Sequence, residues 1–203
     1  MKIVLASNNQ GKLAELQALF GELGVELVTQ ASLGVSEAEE PYHTFLENAL
    51  TKARHAARIS GLPAIADDAG LCVDAFGGLP GVQTAYYATQ FGYEKSDANN
   101  VRALLEQMQG ITNRRAAMVS TLVAVRSADD PEPLVAVGRT VGQITTEILG
   151  DKGFGFDPVM WIPEQNATFA QMDPALKNQL SHRGKSARAM VQLLRETWLA
   201  PQA

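Results

Sequence analysis

Met1-Lys2-Ile3-Val4-Leu5-Ala6-Ser7-Asn8-Asn9-Gln10-Gly11-Lys12, followed by a helical pattern to Gly24 and by Val25-Glu26-Leu27-Val28, decides the fold class. Residues 2–6 read as a buried strand. Over 12–24, Leu13, Leu16, Phe20 and Leu23 fall on one helical face, with Glu15 and Glu22 off it. Gly24 ends the helix and a second strand follows. Strand, helix, strand is the opening of an α/β fold. The turn between the first two elements, Ser7-Asn8-Asn9-Gln10-Gly11-Lys12, has the makings of an anion cradle. Helix N-terminal N–H groups lack partners, the helix dipole adds partial positive charge, and Lys12 adds a full one. It is not a P-loop: Ala6 stands where the first glycine is needed, and Leu13 where Ser or Thr would hold magnesium. Turn chemistry alone accounts for the same residues, so the segment by itself admits both readings.

Outward from this opening, residues 31–43 are irregular and acidic, with Glu37, Glu39 and Glu40 ahead of Pro41. Thr44 and Glu47 have the spacing of a capping box, and a helix runs on to about Ser60. Its apolar face, Phe45, Ala49, Ala53 and Ala56, is narrow and suits close packing; Asn48 and Lys52 share another face. Pro63–Ala66 reads as a short strand, Asp67-Asp68-Ala69-Gly70 as its end, and Leu71–Phe76 as a further strand. A helix is expected over 97–109. Strands over Ala116–Arg126 and Leu134–Glu147 form a long antiparallel hairpin, Val159–Ile162 a late strand, and 184–199 a closing helix. The hairpin argues for a mixed sheet. One domain over residues 1–203, with two lobes, is the expectation.

Composition narrows the function. Of 203 residues, 46% are hydrophobic and 19% charged, which suits a globular chain with a substantial core. The net charge of −5 argues against a binder of polymeric nucleic acid, which needs a basic face. The single cysteine, Cys72, excludes an internal disulfide and reads as a small hydrophobe in a strand. Polar residues begin at Ser7, too early for a signal peptide, and no run approaches the ~18 apolar residues of a membrane span. A soluble cytoplasmic protein without a membrane partner is expected.

Four further clusters carry chemistry. Asp67-Asp68 is expected at a strand end, where α/β sites usually lie. Adjacent strand residues point to opposite sides, so one carboxylate faces the site while the other fixes the backbone or a loop. A carboxylate there suits magnesium, which prefers oxygen ligands; the pair also suits a plain turn. Glu39-Glu40 matters only if the fold brings one beside Asp68. Gly153-Phe154-Gly155-Phe156-Asp157-Pro158 lets a flat ligand approach the backbone, with Phe154 stacking on a base, or else is a glycine turn entering a core strand. Ser181-His182-Arg183-Gly184 is a basic helix start, with Lys177 just ahead. Arginine at a helix N-terminus opposes the dipole, which hints at an anionic or electron-rich ligand. His43 and His55 read as structural.

Taken together, Ser7–Lys12, Phe45–Ala53, Ala66–Leu71, Gly78–Gly81, Gly153–Pro158 and Ser181–Gly184 resemble, in order, the motifs of the inosine/xanthosine triphosphate pyrophosphatase family, the Ham1-like non-standard purine NTP pyrophosphatases. The resemblance spans residues 7 to 184. It implies an elongated mixed β-sheet with flanking helices, two lobes around a central cleft, and a homodimer. It implies hydrolysis of ITP, dITP and XTP to the monophosphate and pyrophosphate with Mg2+. Carried over, Ser7, Asn8, Asn9, Gln10, Gly11, Lys12 and Lys52 hold the triphosphate. Glu40 and Asp68 serve the metal, and Asp68 is also the water-activating base. Ala69, Phe154, Gly155, Phe156, Asp157, Lys177, His182 and Arg183 complete the substrate-binding set, those from Phe154 onward on the nucleoside side. Arg183 only donates hydrogen bonds, which suits a 6-oxo purine and leaves adenine mismatched. Three positions depart from the family: Ala69 for a common Ser, Phe156 for a frequent Tyr, and Tyr86 where bacterial members often have Arg. A pyrophosphatase for other modified nucleotides and a non-catalytic nucleotide sensor remain as alternatives.

Overall fold

The computed structural model describes residues 1–200. The elements run β1 (Lys2–Leu5), α1 (Gln10–Phe20), β2 (Glu26–Thr29), α2 (Phe45–Ser60), β3 (Ala64–Val73), α3 (Asp97–Gln107), β4 (Arg115–Val125), β5 (Leu134–Ile144), β6 (Met160–Ile162), β7 (Ala167–Thr168), α4 (Pro174–Leu180) and α5 (His182–Thr197). The strand order is β2-β1-β3-β4-β5-β6-β7. β1 is parallel to β2 and β3, whereas β6 is antiparallel to β5 and β7, so the sheet is mixed as expected. Among the described residues no helix is long and apolar enough to cross a membrane.

The chain forms two compact units, and β3, β4 and β5 each begin in one and end in the other. The first contains residues 1–68, 120–138 and the chain from His182 on. One of its clusters gathers Ile3, Leu5, Leu16, Phe20, Ile65, Leu122, Met190 and Leu194, the apolar faces of α1 and α5 against the sheet. Another sets Ala49, Ala53, Ala56 and Ala57 of α2 against Val4, Ala64, Ala66, Val123 and Val125. The small side chains bring the α2 backbone close to the strands. Hence the side chain of Lys52 reaches β3.

The second unit contains residues 69–119 and 139–181. Its core holds Leu71, Val73, Leu104, Met108, Phe156, Val159 and Phe169. Cys72 on β3 is half-buried, and burial pushes its thiol up from the ordinary value. Elements that escape the sequence reading here include a run of 3₁₀ turns over Gly81–Phe91, the short strand β7, and α4.

The acidic segment departs most from expectation. Ala64–Val73 is one ten-residue strand, so Asp67 and Asp68 lie in its middle and not at a strand end. β1, its parallel neighbour, stops at Leu5 opposite Ile65. The doublet therefore sits just past the carboxyl end of β1, on a stretch of β3 whose Asp67 carbonyl accepts from lysines instead (Lys12 Nζ 3.3 Å, Lys52 Nζ 3.2 Å).

Candidate active site

The first unit assembles two ion clusters on opposite sides of β3, as the alternation of Asp67 and Asp68 requires. Asn9 caps α1, its Oδ1 accepting from Lys12 N at 3.0 Å. Ser7 Oγ accepts from Asn9 N, and Asn8 Nδ2 donates to Glu37 Oε1 at 2.8 Å. Ser7 to Lys12 thus forms a strand-to-helix turn that places Lys12 on the first turn of the helix. The Lys12 ammonium does not stand alone: it pairs with Asp67 Oδ2 at 3.0 Å. Burial pulls the Lys12 pKa down, and Asp67 opposes that.

Asp67 is buried, and its carboxylate meets three side chains. Oδ1 accepts from Ser120 Oγ at 2.6 Å, and that hydroxyl lies 2.8 Å from Ser186 Oγ. Oδ2 takes Lys12 and also Arg183 Nε at 3.1 Å. Burial pushes this carboxyl up, but the Lys12 and Arg183 charges outweigh it and hold it well below the usual carboxylate range. Arg183 extends the cluster, its NH1 reaching Glu15 Oε2 at 2.7 Å. The basic start of α5 therefore faces protein carboxylates. Arg183 itself is only 4% exposed.

The second cluster centres on Lys52, whose ammonium lies 2.8 Å from Asp68 Oδ1 and 2.6 Å from Glu40 Oε1. The fold does bring Glu40 to the Asp68 side, while Glu39 points elsewhere and lines a surface cavity with Tyr42, Arg54 and Arg58. Thr44 caps α2 through Glu47 N, and its hydroxyl donates to the Glu47 carboxylate at 2.6 Å. Asn48, noted in the sequence only for sharing a face with Lys52, ties the Glu40 loop to α2: its amide bonds both N and O of Tyr42. His55 bonds Ser36, a structural role.

Asp68 is the most buried member of this cluster. Burial raises its pKa, with Lys52 opposing. Its Oδ2 is buried and has no hydrogen-bond partner among the described residues. Leaving a carboxylate oxygen unsatisfied costs free energy, so it suits an incoming cation or proton donor. Among the described residues no three His, Cys, Asp or Glu gather to hold a metal. Two carboxylates, one with an orphaned oxygen, nevertheless fit magnesium, which keeps several waters and takes substrate phosphates.

The second unit holds the other expected group. Gly153 has φ +78°, and a Cβ there would collide with the Asp157 carboxylate. That carboxylate accepts from Phe154 N at 2.9 Å and from Lys177 Nζ at 2.8 Å. Asp97 at the start of α3 takes Gly155 N at 2.8 Å, an anchor with no local sequence signal. Lys177 lies 4.7 Å from the centre of the Phe154 ring, which is half-buried. The Phe156 side chain, 1% exposed, belongs to the core. Ala69 is half-buried on β3, and His182 is buried at the start of α5 in the first unit. Tyr86 is exposed and carries Lys95 3.9 Å over its ring.

Comparison with known proteins adds to this geometry. The model of the Ham1 family matches residues 3–193. A dITP/XTP pyrophosphatase of Paracidovorax citrulli is 74% identical over 198 residues, covering 98% of this chain and all of its own. One of Albidiferax ferrireducens is 71% identical over 199 residues, with the same coverage. A Ham1 protein from Coxiella burnetii superposes with TM-score 0.90 at 39% identity, over 97% of this chain and all of its own. A nucleoside-triphosphatase / dITP/XTP pyrophosphatase from Mycobacterium abscessus gives TM-score 0.75 at 40% identity, over 96% and 99%.

Proposed function

This chain belongs to the Ham1 family, and we propose that it hydrolyses dITP, ITP and XTP to the monophosphate and pyrophosphate, clearing non-standard purines from the nucleotide pool. We further propose that it works with magnesium, as a homodimer, in the cytoplasm. The observation that carries the chemistry is Asp68: one oxygen is fixed on Lys52, and the other is buried with no hydrogen-bond partner among the described residues.

Each residue has a role that its charge allows. Asp68 and Glu40 would hold magnesium, which would neutralise charge on the phosphate oxygens. Lys52 bridges the two carboxylates and keeps them together. Asp68 orients the attacking water toward the α-phosphorus and takes its proton. Burial favours this, since a raised carboxyl is a better base than an ordinary Asp. Lys12, Lys52 and the first-turn amides of α1 stabilise the departing pyrophosphate. A non-catalytic sensor would have no use for an orphaned carboxylate beside a second one.

In the second unit, Phe154, held by Gly155 N–Asp97 and Phe154 N–Asp157, offers its ring to the purine. Base stacking on an aromatic is worth ~1–3 kcal/mol, so Phe154→Ala should raise KM for dITP roughly 10-fold and leave kcat nearly unchanged. Steady-state kinetics with an unchanged KM would remove Phe154 from base binding.

The function itself is tested by incubating dITP, ITP, XTP, GTP and ATP with the protein and magnesium and assaying pyrophosphate against orthophosphate. Pyrophosphate from the first three is expected. Orthophosphate as first product would exclude attack at the α-phosphorus; no turnover of any nucleotide would favour the sensor.

A further inference from the structure

We propose that Asp67 is a positioning residue for the phosphate end of the site, acting through Lys12; this rests on the reading of Lys12 as a triphosphate ligand. The Asp67 side chain has no exposed surface, so it cannot touch a nucleotide or its metal. All its contacts are internal, and they have a direction. Ser120 on β4 and Arg183 on α5 hold the carboxylate in place, at 2.6 and 3.1 Å. Ser186 and Glu15 in turn hold those two groups. Of its charged partners Lys12 keeps the more exposed surface, 18% of its side chain against 4% for Arg183.

Lys12 has a flexible four-carbon stem on the first turn of α1. Two points fix its ammonium: the Asp67 carbonyl at 3.3 Å and the Asp67 carboxylate at 3.0 Å. The carbonyl, which also accepts Lys52 Nζ at 3.2 Å, is a neutral dipole, and the ionised carboxylate is the stronger of the two anchors. The carboxylate therefore sets where the Lys12 charge stands. Closing the fold does not require this contact, since Arg183 already spans Asp67 and Glu15. The shared Oδ2 makes Asp67 the link between a rigid ion-paired brace and a ligand-facing lysine.

The test is a double-mutant cycle with two readouts: the affinity of inorganic tripolyphosphate in the presence of magnesium, by calorimetry, and kcat/KM for dITP. Asp67→Asn keeps the shape and the backbone carbonyl. It should weaken both readouts roughly 10-fold in the wild-type background and less than about twofold in a Lys12→Met background. Equal losses in both backgrounds would make Asp67 merely structural and overturn the proposal; so would wild-type affinity in Asp67→Asn. If Asp67→Asn does not fold, Ser120→Ala removes one support of the carboxylate. Its smaller loss, about threefold, must likewise vanish beside Lys12→Met; persistence there overturns the proposal. A wild-type protein that binds tripolyphosphate through Lys12 yet hydrolyses no dITP refutes the proposed activity instead, and the binding cycle still decides the role of Asp67.

Discussion

Asp68→Asn should lower kcat for dITP by about 10³-fold while the protein stays folded. Loss of a positioned general base alone costs 10²–10⁴-fold, and the same change removes a metal ligand. The fold should tolerate it. Asn is nearly isosteric, and its neutral amide spares the cost of burying a carboxylate whose Oδ2 has no partner among the described residues. Lys52 keeps Glu40 at 2.6 Å and the Asp67 carbonyl at 3.2 Å, so its ammonium is not stranded. Circular dichroism and a melting curve close to wild type, with pyrophosphate release nearly gone, is the expected pair of results. Glu40→Gln should be milder. The Glu40 side chain is 38% exposed, and water can replace part of what it offers. Full activity in Asp68→Asn would remove Asp68 from both roles.

Much of this site is legible in the sequence because local rules write it. The Thr44 cap and the small-residue face of α2 are short-range patterns, and each appears where expected; α1 starts at Gln10 behind an Asn9 cap, two residues before the expected start. The alternation of Asp67 and Asp68 also follows from strand geometry, and it sends them to different lysines. What misleads is a pattern whose compensation lies far away. Asp67-Asp68-Ala69-Gly70 has turn composition, so a continuous strand reads as two. The charges that let an acidic doublet run through a sheet come from Lys12, Lys52 and Arg183, and Arg183 is 116 residues distant. The same distance hides the role of Arg183. A basic residue at a helix N-terminus is locally unfavourable, and the sequence offers a ligand as the reason. The carboxylates of Glu15 and Asp67 are a sufficient one. The run Gly81–Phe91 has neither helical nor strand period, because 3₁₀ turns follow a different spacing. The Asp97 anchor joins a side-chain carboxylate to the backbone N–H of Gly155, 58 residues away, which local side-chain patterns do not encode.

Arg183→Leu should destabilise the protein by about 3 kcal/mol, a fall in Tm of roughly 6–12 °C for a chain of this size. Removing one member of a buried ion pair costs ~3–5 kcal/mol, because the partner charge is left without compensation. Here the partners are Asp67, whose side chain is fully buried, and Glu15, at 15% exposed. The lower end applies for two reasons. Asp67 retains Lys12 and Ser120, and Glu15 has some access to water. Arg183→Lys should recover only part of the loss. An ammonium is a point charge and does not reproduce a planar fork whose Nε and NH1 face two different carboxylates. Urea titrations of the three proteins measure the difference directly. The sign with pH follows from Asp67, whose carboxyl is held below its ordinary value near 3.9. The stabilisation from its pairing is complete above that value and is lost as pH falls through the lower folded-state value. The gap between wild type and Arg183→Leu should therefore be constant near neutrality and narrow in acid. A melting curve equal to wild type, together with lost preference for dITP over dATP, would assign Arg183 to the nucleoside and not to the brace.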